Sequence, residues 1–514
     1  MIALTAITIQ AQTSKFRWHF HCGANRVTME ATMLPTSRQF DAALRILAKL
    51  RAAGYEAYFA GGCVRDLLLG REPKDYDVAT SATPDVVLTM FPRTFAVGAH
   101  FGVVLVADET QDEPASSDGT EAPRGAEHVT EVATFRSDGA YSDGRHPDAV
   151  RYTTSAEQDV RRRDFTINGL LLDPYRLFLQ GLKSASFEQL DEQAKARTLH
   201  DAVIDHVNGL ADLEAGVVRA IGQPDERFEE DHLRMLRAVR FAARFGFELA
   251  PKTASAMRRL ATKTNTVSRE RVRDELTKML TEGHARRAFE LLDETCLLAE
   301  VLPEVARMKG VEQPPQFHPE GDVWVHTLML LDQLEPGCSF ALAWAALLHD
   351  VGKPPTFRRA ERIRFDGHVE VGVAIAAEIC CRFRFSNDET RQTLSLIENH
   401  MRFADAQRMK ASTLKRFFRL ENFPQHLALH RMDCLASAGS LDHWNFVRER
   451  YESIPEEAVR PTPLLTGREL IATGYRPGAA FRTMLDAVED AQLEGTIATP
   501  AEALALLRQR FPLD

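Results

Sequence analysis

The stretch that decides the fold is Ala60-Gly61-Gly62-Cys63-Val64-Arg65-Asp66, followed by Asp75-Tyr76-Asp77-Val78. Tyr55 to Ala60 reads as a short strand that ends at the glycine pair, and Val64 to Leu69 starts a helix. Two glycines at a strand-to-helix turn let backbone approach a phosphate, and the helix that follows presents free N–H groups and the positive end of its dipole. Arg65, one turn in, can add a fork of donors for a triphosphate oxygen. Asp75-Tyr76-Asp77-Val78 reads as the opening of the next strand, and there the period of two puts Asp75 and Asp77, which alternate with Tyr76, on the same face. Two carboxylates forced together need a cation, and hard oxygen ligands suit Mg2+.

Working outward, Ala42 to Leu50 has the spacing of an amphipathic helix, which Ser37 opens. Phe101 to Val106, Val129 to Phe135 and Phe165 to Leu172 are further strand candidates. Ala107 to His128 is rich in Asp, Glu, Ser, Pro and Gly and reads as a solvated insertion. From about Asp225 long helical patterns run to the C-terminus. Residues 1–36 show no amphipathic period and no secretory signal, so they are expected to be disordered or an over-extended reading frame. Composition sets limits on function. The 514 residues are 44% apolar and 26% charged, with a net charge of −10, which excludes a uniformly basic nucleic-acid coat but not a local basic groove. No window is long and apolar enough to span a bilayer. Seven cysteines, sparse and odd in number, fit thiols in a reducing cytoplasm.

Taken together, the glycine turn and the Asp-x-Asp pair resemble the class II nucleotidyltransferases of the polymerase-β superfamily, the tRNA CCA-adding enzymes and bacterial poly(A) polymerases. Further stretches resemble the family's motifs in the family's order: the loop from Phe135-Arg136 through Tyr141 to Pro147, the ribose motif Arg162-Arg163-Asp164-Phe165-Thr166-Ile167-Asn168-Gly169, the base-selecting Glu230-Asp231-His232-Leu233-Arg234, and the helical run Ser268 to Leu276. The resemblance implies an α+β fold. A polymerase-β-like head, a small mixed sheet with helices, is followed by an all-α neck and body, an HD-type helical domain and a helical tail. The boundaries expected are 1–36 for the extension, 37–222 for the head, 223–315 for neck and body, 316–440 for the HD-type domain and 441–514 for the tail.

The resemblance also implies roles. Asp75 and Asp77 would hold Mg2+ with a third carboxylate, for which Glu131 is the candidate. Gly61, Gly62, Arg65, Arg163, Asp164 and Asn168 would bind the nucleotide. Arg234, Arg237, Arg240 and Arg244 fall within about 120° of arc on a helix, and four arginines without an intervening acid want an anionic partner. At i, i+3 Asp231 and Arg234 are expected to be neighbours on the helix surface, where Asp231 can accept from an exocyclic amine while Arg234 donates to the adjacent ring nitrogen. Cytosine and adenine offer that pattern; uracil and guanine do not.

Downstream, His326, His349-Asp350, His368, His400 and Asp433 follow the order of HD-superfamily metal-dependent phosphohydrolases. His326, His349, Asp350 and Asp433 match the four core ligands, and His368 and His400 the extra histidines of binuclear members. Imidazole with carboxylate suits a divalent transition metal. The leading expectation is template-independent addition of C and A to a tRNA 3′ end from CTP and ATP in the cytoplasm. The alternatives are poly(A) or A-only addition, and an HD phosphohydrolase whose head merely binds RNA. Arg161-Arg162-Arg163 and Lys415-Arg416-Phe417-Phe418-Arg419 are the candidate RNA patches.

Overall fold

The computed structural model describes residues 6–12, 15–22, 25–30, 37–96, 102–107, 129–139, 150–176, 192–437 and 440–513. The loop residues Tyr141 to Pro147 and most of the insertion 107–128 lie outside them. The chain forms two compact units, 1–267 and 268–514. The division falls inside the segment expected to be neck and body.

The first unit opens with an antiparallel meander, β1 (Ala6–Gln12), β2 (Lys15–Cys22) and β3 (Asn25–Glu30), rather than the disorder expected there. The reason is visible in Lys15 to Cys22. Phe16, Trp18, Phe20 and Cys22 alternate with polar residues, a period of two that a search for helical spacing misses. Helix α1 (Arg38–Ala52) starts where Ser37 Oγ accepts from the Phe40 amide, and it buries Phe40, Leu44, Leu47 and Leu50.

The main sheet has seven strands. Its members are β4 (Ala57–Ala60), β5 (Val78–Thr80), β6 (Thr94–Phe95), β7 (Val103–Ala107), β8 (Val129–Thr134), β11 (Leu170–Leu172) and β12 (Val203–Asp205), in the order β12-β11-β4-β5-β8-β7-β6. Only β5 and β8 pair in parallel. A separate hairpin joins β9 (Arg136–Asp138) to β10 (Val150–Tyr152).

Two sequence expectations change. Strand pairing starts at Val78, so Asp75 and Asp77 stand just before β5. Phe165 to Leu172 is not one strand: Thr166–Asn168 is a 3-10 turn, and only Leu170–Leu172 joins the sheet. The turn is pinned by local polar bonds, Asp164 Oδ1 accepting from the Phe165 amide at 2.8 Å and Thr166 Oγ1 donating to Asp212 at 2.7 Å. Those bonds outweigh the β propensity of Phe-Thr-Ile.

The second unit is helical apart from one short hairpin, Arg358–Arg359 with Ile363–Arg364. Its centre is the helix Phe340–Leu348, apolar on every side and buried accordingly. Around it lie Arg269–Thr281, Val323–Leu331, Asn387–Asn399 and Phe423–Ala436, and His368–Arg382 packs against Asn387–Asn399. The tail helices Gly467–Ala472, Ala480–Glu494 and Pro500–Arg510 close over a core of their own, including Leu470, Val488 and Leu507. Among the described residues no helix is long and apolar enough to cross a membrane.

Candidate active site and metal centre

In the head, the chain's approach to β5 is locked by Tyr76. This residue is 3% exposed, and its ring sits 5.3 Å from Phe40 and 5.8 Å from Phe59. Burying a side chain of that size contributes on the order of 3 kcal/mol. With Tyr76 turned into the core, Asp75 and Asp77 must point the other way. The Ala60 amide donates to Asp77 O at 3.1 Å, which sets the pair beside the glycine turn. Val78 pairs with Val132 in parallel register, so Glu131 on β8 comes alongside Asp77.

The three carboxylates act on one another. Burial first, then Glu131 and Asp75, push Asp77 up to about 7, against the pull of Arg163. Glu131 stays open to solvent yet is raised too, by its low-dielectric surroundings and then Asp75, with Arg163 again opposing. Carboxylates that resist ionising together fit a site for a divalent cation, whose charge removes that repulsion.

Around this trio the basic residues are organised by acids, one of which, Asp159, lies outside the motifs. Asp159, 1% exposed, accepts from Arg162 at 2.6 Å through one oxygen and from Arg163 at 3.0 Å through the other. Arg163 Nη1 lies against Gly61, whose φ of +74° is open to glycine alone and where a Cβ would come 3.0 Å from that nitrogen. Arg65 does not offer the free fork expected of it. It is 4% exposed, bonds Asp66 Oδ1 at 2.8 and 2.9 Å and Asn168 Oδ1, and stacks over Phe245 at 4.6 Å. Its geometry is that of a brace between the glycine-turn helix α2 (Gly62–Leu68), the ribose motif and the arginine helix Leu233–Phe245.

Two of the four arginines find anions within the protein. Arg237 donates to Asp164 Oδ2 at 2.9 and 2.7 Å, and Arg234 bonds Glu230. Asp164 also accepts from Asn168 Nδ2 at 3.0 Å. Burial would raise the Asp164 carboxyl, but Arg237, Asn168 and Arg234 outweigh it and hold it at about 2. Arg240 is 6% exposed and lies 4.3 Å over Phe241, so it faces no open groove. Asp231 is not on one continuous helix with Arg234. It stands at the break between Pro224–Glu230 and Leu233–Phe245, and a turn brings the two together: the Arg234 amide donates to Asp231 O at 3.0 Å.

Of the RNA patches, Arg162 and Arg163 are held by Asp159, while Arg161 pairs with Glu157 at the surface. The second patch is covered. Arg416 bonds Glu489 and Asp490, Arg419 bonds Glu489 at 2.6 Å, and Lys415 Nζ donates to Leu493 O at 2.7 Å. It is the docking face of the tail.

In the second unit all six expected ligands converge. His326, His349 and Asp433 form one cluster and Asp350, His368 and His400 another, with the donor atoms of each within 4.8 Å of one another. Asp350 joins the two: its Oδ2 is 3.1 Å from His349 Nε2 and 3.8 Å from His326 Nε2, and its Oδ1 is 3.9 Å from His368 and 4.0 Å from His400. Nδ1 of His349, His368 and His400 lies 2.6–3.0 Å from the carbonyl three residues earlier, and Nδ1 of His326 lies 2.9 Å from Glu320. That leaves all four Nε2 atoms directed inward among the carboxylates, buried and without a well-aligned hydrogen bond. Burial, aided by the neighbouring His349, takes His400 down to about 4. Burial would lower His326 as well, but Asp433 and Glu320 overcome it and carry that residue up to about 9. Four inward imidazole nitrogens with two carboxylates fit a pair of transition-metal ions. Glu320, His318 and Lys353, which donates to Asp350 at 2.6 Å and Gln313 at 2.7 Å, are not legible in the sequence.

The head is thus of the poly(A) polymerase type, and the following domain is of the HD type. Family models agree: poly A polymerase head domain over residues 57–219, probable RNA and SrmB-binding site of polymerase A over 246–309, and HD domain over 322–457. A CCA-adding enzyme of Streptococcus thermophilus is 30% identical over 482 residues, 93% of this chain and 98% of that protein. The chain belongs to the family of CCA-adding enzymes. The match to the CCA-adding enzyme of Geobacillus thermodenitrificans is 40% identical but spans only 50% of this chain and 54% of that protein. Among solved structures, the Bacillus stearothermophilus CCA-adding enzyme in complex with CTP superposes with a TM-score of 0.65 at 26% identity, covering 92% of this chain and 99% of that one. A Thermotoga maritima CCA-adding enzyme complexed with tRNA shares the fold at a TM-score of 0.53 and 16% identity, over 93% and 97%.

Proposed function

We propose that this chain adds C and A residues to tRNA 3′ ends from CTP and ATP, without a template and with release of pyrophosphate. The observation that carries the reading is the carboxylate trio set against the glycine turn and Arg163, in a chain whose relatives over nearly its whole length are CCA-adding enzymes. Asp75, Asp77 and Glu131 would hold Mg2+, which when bound lowers the pKa of an RNA 3′-hydroxyl and neutralises triphosphate charge. The backbone of Gly61 and Gly62 and the Arg163 guanidinium orient the triphosphate. Asp164 and Asn168 form the polar surface suited to ribose hydroxyls. Asp231 accepts from the exocyclic amine of C or A and Arg234 donates to the neighbouring ring nitrogen, so U and G meet mismatched groups at a cost of about 1–3 kcal/mol each. Positioning and electrostatics carry the rate. A cytoplasmic location follows from this reading.

The test is a tRNA primer that ends before CCA, incubated with each nucleotide separately and together. CTP alone should extend by C, and CTP with ATP should complete CCA. Extension by ATP alone into long A tracts would instead make the chain a poly(A) polymerase. Asp75→Ala with Asp77→Ala should lower extension by at least ~10³-fold, the loss of several kcal/mol of metal stabilisation.

A second activity is favoured by the paired clusters in the second unit. We infer a metal-dependent phosphohydrolase there, with His326, His349 and Asp433 on one divalent transition metal, His368 and His400 on a second, and Asp350 between them. Hydrolysis of a phosphate ester should survive the head double variant and disappear in Asp350→Ala.

A further inference from the structure

Six residues before His326, in the loop Gln313 to Gly321, stands a carboxylate that no ligand motif includes. Glu320 is buried, its side chain 4% exposed. One oxygen, Oε1, lies 2.9 Å from His326 Nδ1 and 2.8 Å from His318 Nδ1, and the two imidazole rings meet edge to face at 4.9 Å. The other oxygen has no partner and no contact with solvent. The other three inward histidines use backbone carbonyls in the same position. His326 alone has a charged group at Nδ1; it shares one cluster with His349 and Asp433 and another with Glu320 and His318, and none with His368 and His400.

We propose that Glu320 is a positioning residue for the first metal of the HD-type site, the one held by His326, His349 and Asp433. The inference rests on the metal-centre reading above. A carboxylate at Nδ1 keeps the proton on that nitrogen, so the lone pair of Nε2 stays directed at the metal. It also makes the imidazole a stronger donor than a carbonyl does. Burial of Glu320 with only histidines for partners means that its negative charge is balanced through them. Positive charge at His326 is therefore favoured, and a metal bound through Nε2 supplies it. His318 completes the arrangement by fixing the plane of the carboxylate. The second cluster, Asp350, His368 and His400, makes no contact with Glu320 and should not respond to it.

This asymmetry is the readout. Co2+ is titrated into metal-free full-length protein carrying Asp75→Ala and Asp77→Ala, so that the head does not contribute, and binding is followed by its visible absorption and by calorimetry. The parent should show two sites. Glu320→Gln keeps the size and an accepting oxygen but loses the charge, and should weaken one site about 10-fold. Glu320→Ala should weaken the same site by about 100-fold, with the second unchanged. Circular dichroism and thermal melting of the Gln variant identify a folding defect. Equal weakening of both sites, or no weakening in either variant, overturns the assignment. A parent that binds no Co2+ overturns the metal-centre reading itself, and this inference with it.

Discussion

The link between the ribose motif and the arginine helix can be tested through one carboxylate. Asp164→Asn keeps the shape of the side chain and removes its charge, so the variant stands in for the protonated acid. Asp164 titrates at about 2 in the folded chain against 3.8 unperturbed, a difference worth about 2 kcal/mol. Its side chain is only 10% exposed, but Arg237 keeps 34% of its surface in water, so solvent screening makes this an upper figure. The folded pKa lies below the unfolded one. The stabilisation is therefore full above the unfolded value and drains away as pH falls through the folded value. At pH 7 the variant should be less stable locally by about 2 kcal/mol, and at pH 3 by about 1. Hydrogen exchange at the Thr166, Asn168 and Gly169 amides, all bonded within or beside the turn, reads this directly. Protection should fall about 30-fold at pH 7 and about fivefold at pH 3. A loss of protection that does not change with pH would show that the substituted amide disturbs packing rather than charge, and no loss at pH 7 would refute the ion-pair argument.

Gly61→Ala should destabilise the head by about 1–3 kcal/mol, because φ of +74° is unfavourable for any Cβ, and should raise KM for nucleotide more than it lowers kcat, because Arg163 must shift. Thermal melting and primer extension over a nucleotide series separate the two effects. Glu489→Lys reverses the acid that holds Arg416 and Arg419, pairs that are each worth up to about 1 kcal/mol at this exposure. Tail cleavage under limited proteolysis should quicken in the variant and, in the parent, with added salt. Insensitivity to both would mean that apolar packing holds the tail.

Legibility of the sequence follows the range of the interaction. Asp75-Tyr76-Asp77 can be read because one buried aromatic between two acids fixes three orientations at once, and α1 because its apolar stripe and Ser37 cap are local. The HD-type ligands can be read because His349-Asp350 is contiguous and the other ligands fall in a recognisable order. Asp159 has a faint signal, an acid three and four residues before two arginines, spacing that pairs on a helical turn. Glu320 has none. It is only six residues from His326, but it sits in a proline-containing loop with no period, so its spacing does not show that it turns back onto that ring. The arginine helix is legible as needing anions, but not as finding one within the chain, because Asp164 lies 73 residues away in sequence. Charge tells what a residue requires; it does not tell whether the chain itself supplies it.

That distinction separates the two sites. In the head, Arg65, Arg163, Arg234 and Arg237 each hold a carboxylate of the protein. On the proposed reading, a base that engages Arg234 exchanges with Glu230, so much of the gross bond energy cancels and what remains is the difference between a matched and a mismatched base. Such a site would be weak in net binding and strong in discrimination. In the second unit His326 Nε2 lies 3.0 Å from Asp433 and His349 Nε2 3.1 Å from Asp350, while His368 and His400 have Asp350 only at 3.9 and 4.0 Å. There the imidazoles and carboxylates already surround the place a cation would take, so binding one requires little rearrangement of the protein.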